Sequence, residues 1–378
     1  MGRFKKIEIE GLIFENFGKL FLDTFNNVVK TSNLSESEVL KKIGLKEFEK
    51  LLSHYEDSIS TLYLENHKFN LEAFLKTHLN NQKKIANTNK STFEAFILYV
   101  NGCYVVYEKI VQKLKRKRID STLKMTVALY ALTIRRADMI VNQLLNGYVD
   151  GAMIIWRSLY ENAIILLLLA YENNNELADR YFKHSVRNSR KKVLSYNNNF
   201  KALKFKPLPG STENNLKSQV EKVNTKYGKE FLSNEYGWAD ALFTGKQKAS
   251  FRLLEEKVEM TRFRPYYLLC CEHVHPSFNG LNDYMSGNKI ILPKILIPSI
   301  DLESFVDPMQ FTVNILQEIN EYILYEFSVK EEYNVNVLLM RKVFQKQQDT
   351  FNKLRNKGTR RRKTGERSAG GYATRKPT

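Results

Sequence analysis

Cysteine is scarce in this chain. Cys103 stands alone, Cys270 and Cys271 are neighbours, and the other residues of the 378 include no more. Three such residues can build neither a disulfide framework nor a four-cysteine zinc site, and reduced thiols fit a cytoplasmic location. Long apolar runs are missing too: the longest uninterrupted one, residues 163–171, is about half of what a bilayer requires. The first residues carry no charged-then-apolar pattern of a signal peptide, so no membrane partner is expected. Histidines number six, and His54, His67, His78 and His184 lack the spacing of metal ligands. Period-two alternation is confined to residues 7–10, a candidate short strand.

What is present is helical periodicity, with 43% hydrophobic residues to build a core. The organising stretch is residues 121–171, which reads as two long helices folded back at Asn146-Gly147. Gly147 sits where a helix end takes a left-handed residue, and Asp150 is placed to cap the second helix. With the turn centred near residue 148, positions whose numbers sum to about 296 come level, pairing Arg135 with Glu161 and Asp138 with Ser158. The second helix is apolar nearly all round and should be central and buried. Its exceptions are Arg157 and Glu161, four apart on one face: a satisfied ion pair, or a pair kept in a cleft for a ligand.

The predicted class is all-α, a helical bundle built on this antiparallel hairpin and followed by a disordered basic C-terminal tail. An N-terminal helical region covers residues 1–88, with a capping box at Ser35 and Glu38; a core covers 89–330; a last helix and the tail cover 331–378. Within the core, helices are expected over 91–117, 176–199, 213–234, 250–260, from Pro265 onward, and over 307–328. Residues 290–292 and 295–297 read as extended pieces.

Charge is unevenly spread. The net charge is +18, and residues 353–378 hold ten Lys or Arg against the single acid Glu366, which is half of the excess. Glycine and charge forbid a packed fold there. Arg360, Arg361, Arg362 and Lys363 form its densest run, able to neutralise phosphates without reading bases. The helix over 176–199 presents a basic outer side that takes in Arg180, Lys183, His184, Arg187, Arg190, Lys191 and Lys192, and a third cluster lies at residues 113–118. These point to nucleic acid as partner. The segment RPYYLLCCEHVHPSFNG is the most unusual outside the hairpin, with Glu272, His273 and His275 emerging at a helix end. His275 can serve as an acid or base near neutral pH. Glu272, His273 and His275 could instead hold a metal, but no third histidine is near, so no metal and no cofactor is expected.

The hairpin with Ala152 and RSLYE (Arg157 to Glu161), then YGWA (236–239), EKV (256–258) and YYLLCCEHVHPS (266–277), resembles a bacterial domain family of unknown function, over roughly residues 121–281. Arg157, Glu161 and His275 correspond best to its pattern. More distantly, the hairpin is similar to the HEPN superfamily of helical bundles, many of them metal-independent ribonucleases in toxin or antiviral systems. Their arginine, followed after four to six residues by histidine, is absent here: Arg264 lies too far from His273 and Arg180 too close to His184. The resemblance therefore implies an arginine and a histidine supplied by different helices, Arg157 and His275, with Glu161 holding Arg157. RNA is expected rather than DNA, and a homodimer is allowed. The competing expectation is a binding or scaffolding protein in which these three residues form an internal network.

Overall fold

The computed structural model describes residue 30, residues 71–73, 75–87, 90–115, 119–245, 247–275 and 305–327, and positions 341, 342, 344, 345 and 348–353. The strand at 7–10, the capping box at Ser35, the extended pieces at 290–297 and the basic tail with Arg360–Lys363 fall outside these residues. The chain divides into two compact units, Met1–Asn80 and Asn81–Thr378. In the first, residues 71–73 and 75–80 are helical, with Thr77 donating to the Ala73 carbonyl. The second unit holds everything that follows.

Its long helices are α1 (Lys90–Leu114), α2 (Ser121–Leu145), α3 (Val149–Glu172), α4 (Asn175–Asn199), α5 (Gly210–Tyr227), α6 (Phe251–Lys257), α7 (Arg264–Val274) and α8 (Val306–Phe327). Short 3₁₀ turns occupy Lys229–Leu232, Gly237–Leu242 and Thr261–Phe263. Among the described residues there is no strand, and the fold is an all-α helical bundle.

The α2–α3 hairpin closes as its turn residues dictate. Gly147 takes φ 78, its N–H donates to the Leu144 carbonyl, and the Tyr148 N–H reaches back to the Gln143 carbonyl. This pair of bonds satisfies the last carbonyls of α2 and needs the left-handed residue that glycine supplies. Asp150 is not the cap of α3, which starts at Val149; the carboxylate sits in the first turn, where the helix dipole still favours it. α3 buries Trp156, Leu159, Tyr160 and the run from Leu166 to Ala170, and α2, α6, α7 and α8 all pack on it. By length and composition α3 could cross a membrane, but most of its apolar window is covered by its own neighbours.

A polar network ties α1, α2 and α8 inside this apolar bundle. The Tyr99 hydroxyl donates to Gln317 Oε1 at 2.6 Å, the Tyr130 hydroxyl to Asn320 Oδ1 at 2.6 Å, and Asn320 Nδ2 to Cys103 Sγ at 3.2 Å. Burial pushes the Cys103 thiol up to about 12, so it stays protonated and unreactive. Such satisfied buried groups fix one register of α8, since any slip would leave several of them unpaired.

Two expectations are corrected further along. The helix over 213–234 begins earlier, at Gly210, and breaks after Tyr227, because Gly228 adopts φ 85 and turns the chain into a 3₁₀ segment. The helix over 307–328 starts one residue early, with Asp307 and Pro308 in its first turn. Residues 348–353 are helical and send Phe351, fully buried, into the core, while Gln348 bonds Gln310 and Asn314 of α8.

Candidate functional site

Arg157 and Glu161 stand one turn apart on α3, and α7 brings a stripe with the same spacing against them: Tyr267, Cys271 and His275. α7 ends at Val274. His275 is its C-cap and leaves helical geometry at φ −102 and ψ 143, while its own N–H still donates to the Cys271 carbonyl. The imidazole is thereby delivered to an exposed position beside α3.

Three contacts define the site. Arg157 Nε donates to Glu161 Oε1 at 3.0 Å, the Tyr267 hydroxyl donates to the same oxygen at 2.9 Å, and Arg157 Nη1 lies 3.4 Å from His275 Nε2. The guanidinium carbon also sits 5.5 Å from the centre of the Tyr267 ring. Burial works against the Arg157 charge, but Tyr267 and Glu161 outweigh it and its pKa is raised. Burial and the Glu161 carboxylate raise the Tyr267 phenol, which keeps it an O–H donor. The Arg157 and Glu161 side chains are 23% and 33% exposed, a half-buried pair reachable from solvent. A guanidinium only donates, so for Arg157 to bond His275 the Nε2 atom must carry the lone pair and Nδ1 the proton.

The structure thus brings Arg157, Glu161 and His275 together across 118 residues of chain. It also adds members that the sequence reading missed. Arg136, rather than Arg135, faces α3: its Nη1 donates to the Ser158 carbonyl at 2.7 Å, and burial lowers its pKa while Glu161 pulls the other way. Arg135 is exposed. The height rule was good to a turn, whereas the choice between adjacent residues is a rotation of about 100°. Tyr267 had a legible signal in the four-residue spacing Tyr267, Cys271, His275. It also lies 5.3 Å from Arg264, whose Nη1 donates to Glu255 Oε2 at 3.0 Å in a network that continues to the Tyr160 hydroxyl.

Among the described residues no three His, Cys, Asp or Glu converge to hold a metal, so Glu272, His273 and His275 do not form the triad considered above.

The basic face of α4 is smaller than its sequence suggested. Arg190, Lys191 and Lys192 are exposed and Arg187 half-exposed. Arg180 turns inward, donating to the Trp238 and Gly237 carbonyls and lying over the Tyr227 and Phe231 rings. His184 is buried at 6% exposure, with Nε2 3.0 Å from the Asn234 carbonyl and its ring edge-on to Phe231. Both serve the packed corner at Gly237, where an added Cβ would meet the Phe231 carbonyl oxygen. Lys113 and Lys115 are exposed, and the rest of that cluster lies outside the described residues.

Burial lowers the His184 pKa below its ordinary 6.5. The unfolded chain therefore takes up this proton first as pH falls, so the stability contributed by neutral His184 is complete above about 6.5 and is lost as pH drops through the folded value. The melting temperature should fall between pH 7.5 and 5.0, and should fall less for His184→Gln, which keeps a donor for Asn234. Equal falls in the two proteins would exclude this role.

No curated protein and no solved structure matches the chain. Residues 123–289, which take in the hairpin and both Arg157 and His275, match a family described as Family of unknown function (DUF5677).

Proposed function

We propose that this chain is an RNA-directed protein, a metal-independent ribonuclease of the HEPN-like kind serving a bacterial toxin or antiviral system. One observation carries the reading: an arginine and a histidine from different helices lie 3.4 Å apart at an accessible position, with the arginine anchored by a carboxylate. His275 Nε2 accepts the proton of a ribose 2′-hydroxyl, the 2′-oxygen attacks the adjacent phosphorus, the P–O5′ bond breaks, and the 5′-oxygen takes a proton from solvent, leaving a 2′,3′-cyclic phosphate and a 5′-hydroxyl. Arg157 donates to the phosphate oxygens as charge builds on them. A phosphate oxygen that takes over the Arg157 Nη1 donor releases Nε2 for the hydroxyl, which the long, weak contact permits. Glu161 and Tyr267 hold the guanidinium from behind. The chemistry requires the 2′-hydroxyl and so selects RNA over DNA.

The test is cleavage of single-stranded RNA by the purified full chain in excess chelator. Fragments ending in 2′,3′-cyclic phosphate are expected, and no cleavage, or cleavage abolished by the chelator, would overturn the proposal.

A second reading, a non-catalytic nucleic-acid-binding or scaffolding protein, is favoured by the double use of Glu161 Oε1, which suits an internal network. Stability separates the two. Arg157→Ala leaves Glu161 bonded to Tyr267, and the half-exposed ion pair and ring contact together contribute about 1 kcal/mol. A loss of about 3 kcal/mol or more in chemical denaturation would instead mark a structural pair.

A further inference from the structure

The turn joining α4 to α5 presents a second feature that the Arg157 site does not use. From Arg180 to Thr212 the sequence has nine Lys or Arg and no Asp or Glu. Six of these cations, Arg190, Lys191, Lys192, Lys201, Lys204 and Lys206, are exposed along the outer side of α4 and over its tip. Glu213, the first acid beyond them, accepts from Asn197 Nδ2 at 2.9 Å.

Aromatic rings are set among these cations in a fixed arrangement. The Tyr196 ring lies nearly parallel to Phe200, 6.2 Å away and 8° apart, and nearly parallel to Phe205, 6.3 Å away and 18° apart. Phe205 is 57% exposed and Leu203 56%. The backbone is bent to hold this. Lys204 adopts φ 55, the Phe205 N–H donates to the Phe200 carbonyl at 2.8 Å, and the Tyr196 hydroxyl donates to the Lys206 carbonyl at 2.8 Å. A left-handed lysine costs about 1–2 kcal/mol, and an exposed phenylalanine gains nothing from burial. A connection that merely reversed the chain would use glycine and polar residues here.

An exposed ring, Phe205, set parallel to the half-buried Tyr196 ring and interleaved with cations suits single-stranded nucleic acid: a base stacks on the exposed ring while the lysines neutralise the backbone. We infer that the α4–α5 tip is a stacking platform for single-stranded RNA, with Phe205 as the ring that meets a base. The inference rests on the RNA reading of the chain but not on the Arg157–His275 chemistry. An anionic membrane would also accept Leu203, Phe205 and the lysines, yet it has no use for rings held parallel by one backbone bond and one tyrosine-to-carbonyl bond.

The experiment is binding of the full chain to a fluorescent 2′-O-methyl oligouridylate, which lacks the hydroxyl needed for cleavage. Phe205→Ala should weaken binding about ten-fold, Phe205→Trp should restore it, and affinity for duplex RNA should not change. Replacing Lys201, Lys204 and Lys206 by glutamine should reduce the magnitude of the log–log salt slope by about 2. Unchanged affinity in Phe205→Ala, or Phe205-dependent binding to phosphatidylserine vesicles without any to the oligonucleotide, overturns the inference. If cleavage is absent but Phe205→Ala loses binding, the platform stands and the ribonuclease reading falls. If cleavage is present and Phe205→Ala binds as the parent does, the reverse holds.

Discussion

His275→Ala is expected to reduce RNA cleavage by about 10²- to 10⁴-fold, the usual contribution of a positioned general base. The fold should persist. His275 is an exposed C-cap whose structural bond, from its own N–H to the Cys271 carbonyl, is made by the backbone and survives any side chain. The proton acceptor at 3.4 Å from Arg157 Nη1 is what disappears. The measurement is initial cleavage rate in chelator for parent and variant, with circular dichroism melts to compare their folds. Equal rates would remove His275 from the chemistry, and a collapsed melting transition would show that the residue serves the fold instead.

The second large effect concerns Glu255, whose side chain is 1% exposed. It accepts from the Tyr160 hydroxyl at 2.6 Å and from Arg264 Nη1 at 3.0 Å. In Glu255→Ala the Tyr160 hydroxyl can turn fully to the Met260 carbonyl, 2.8 Å away, but Arg264 has no replacement. Arg264 is 31% exposed and can recover some hydration, which places the expected loss near the lower end for a broken buried pair, about 3 kcal/mol. Glu255→Gln keeps the shape and one acceptor and should cost about half as much. Urea denaturation measures both, and a loss below about 1 kcal/mol for the alanine variant would show that the charge is not held by this network. Because Arg264 also lies over Tyr267, the same variant tests whether the buried network supports the surface site.

Much of the architecture was open to reading from residue types. Gly147 at a helix end and the apolar circumference of residues 154–169 each state a local preference that no distant contact overturns. The site was half legible. Arg157 and Glu161 share a face because the helix period puts them there, and His275 had to emerge where α7 stops before Pro276. Their meeting was not legible, since no local rule sets how α7 crosses α3.

The errors have one physical origin. Asp150 lies inside the first turn, Arg136 displaces Arg135, and Arg180 and His184 face the core rather than water. In each case the element was right and its rotation, or its end, was not. Adjacent residues on a helix differ by about 100°, so the face turned inward is decided by what packs there. For His184 that is Phe231 and the Asn234 carbonyl, fifty residues further along. The sequence by itself determined the all-α class, most of the helices and the hairpin, and it marked Arg157, Glu161 and His275 as candidates. Tertiary structure alone decided which of them touch, because packing between distant helices, and not propensity within one, sets their rotation.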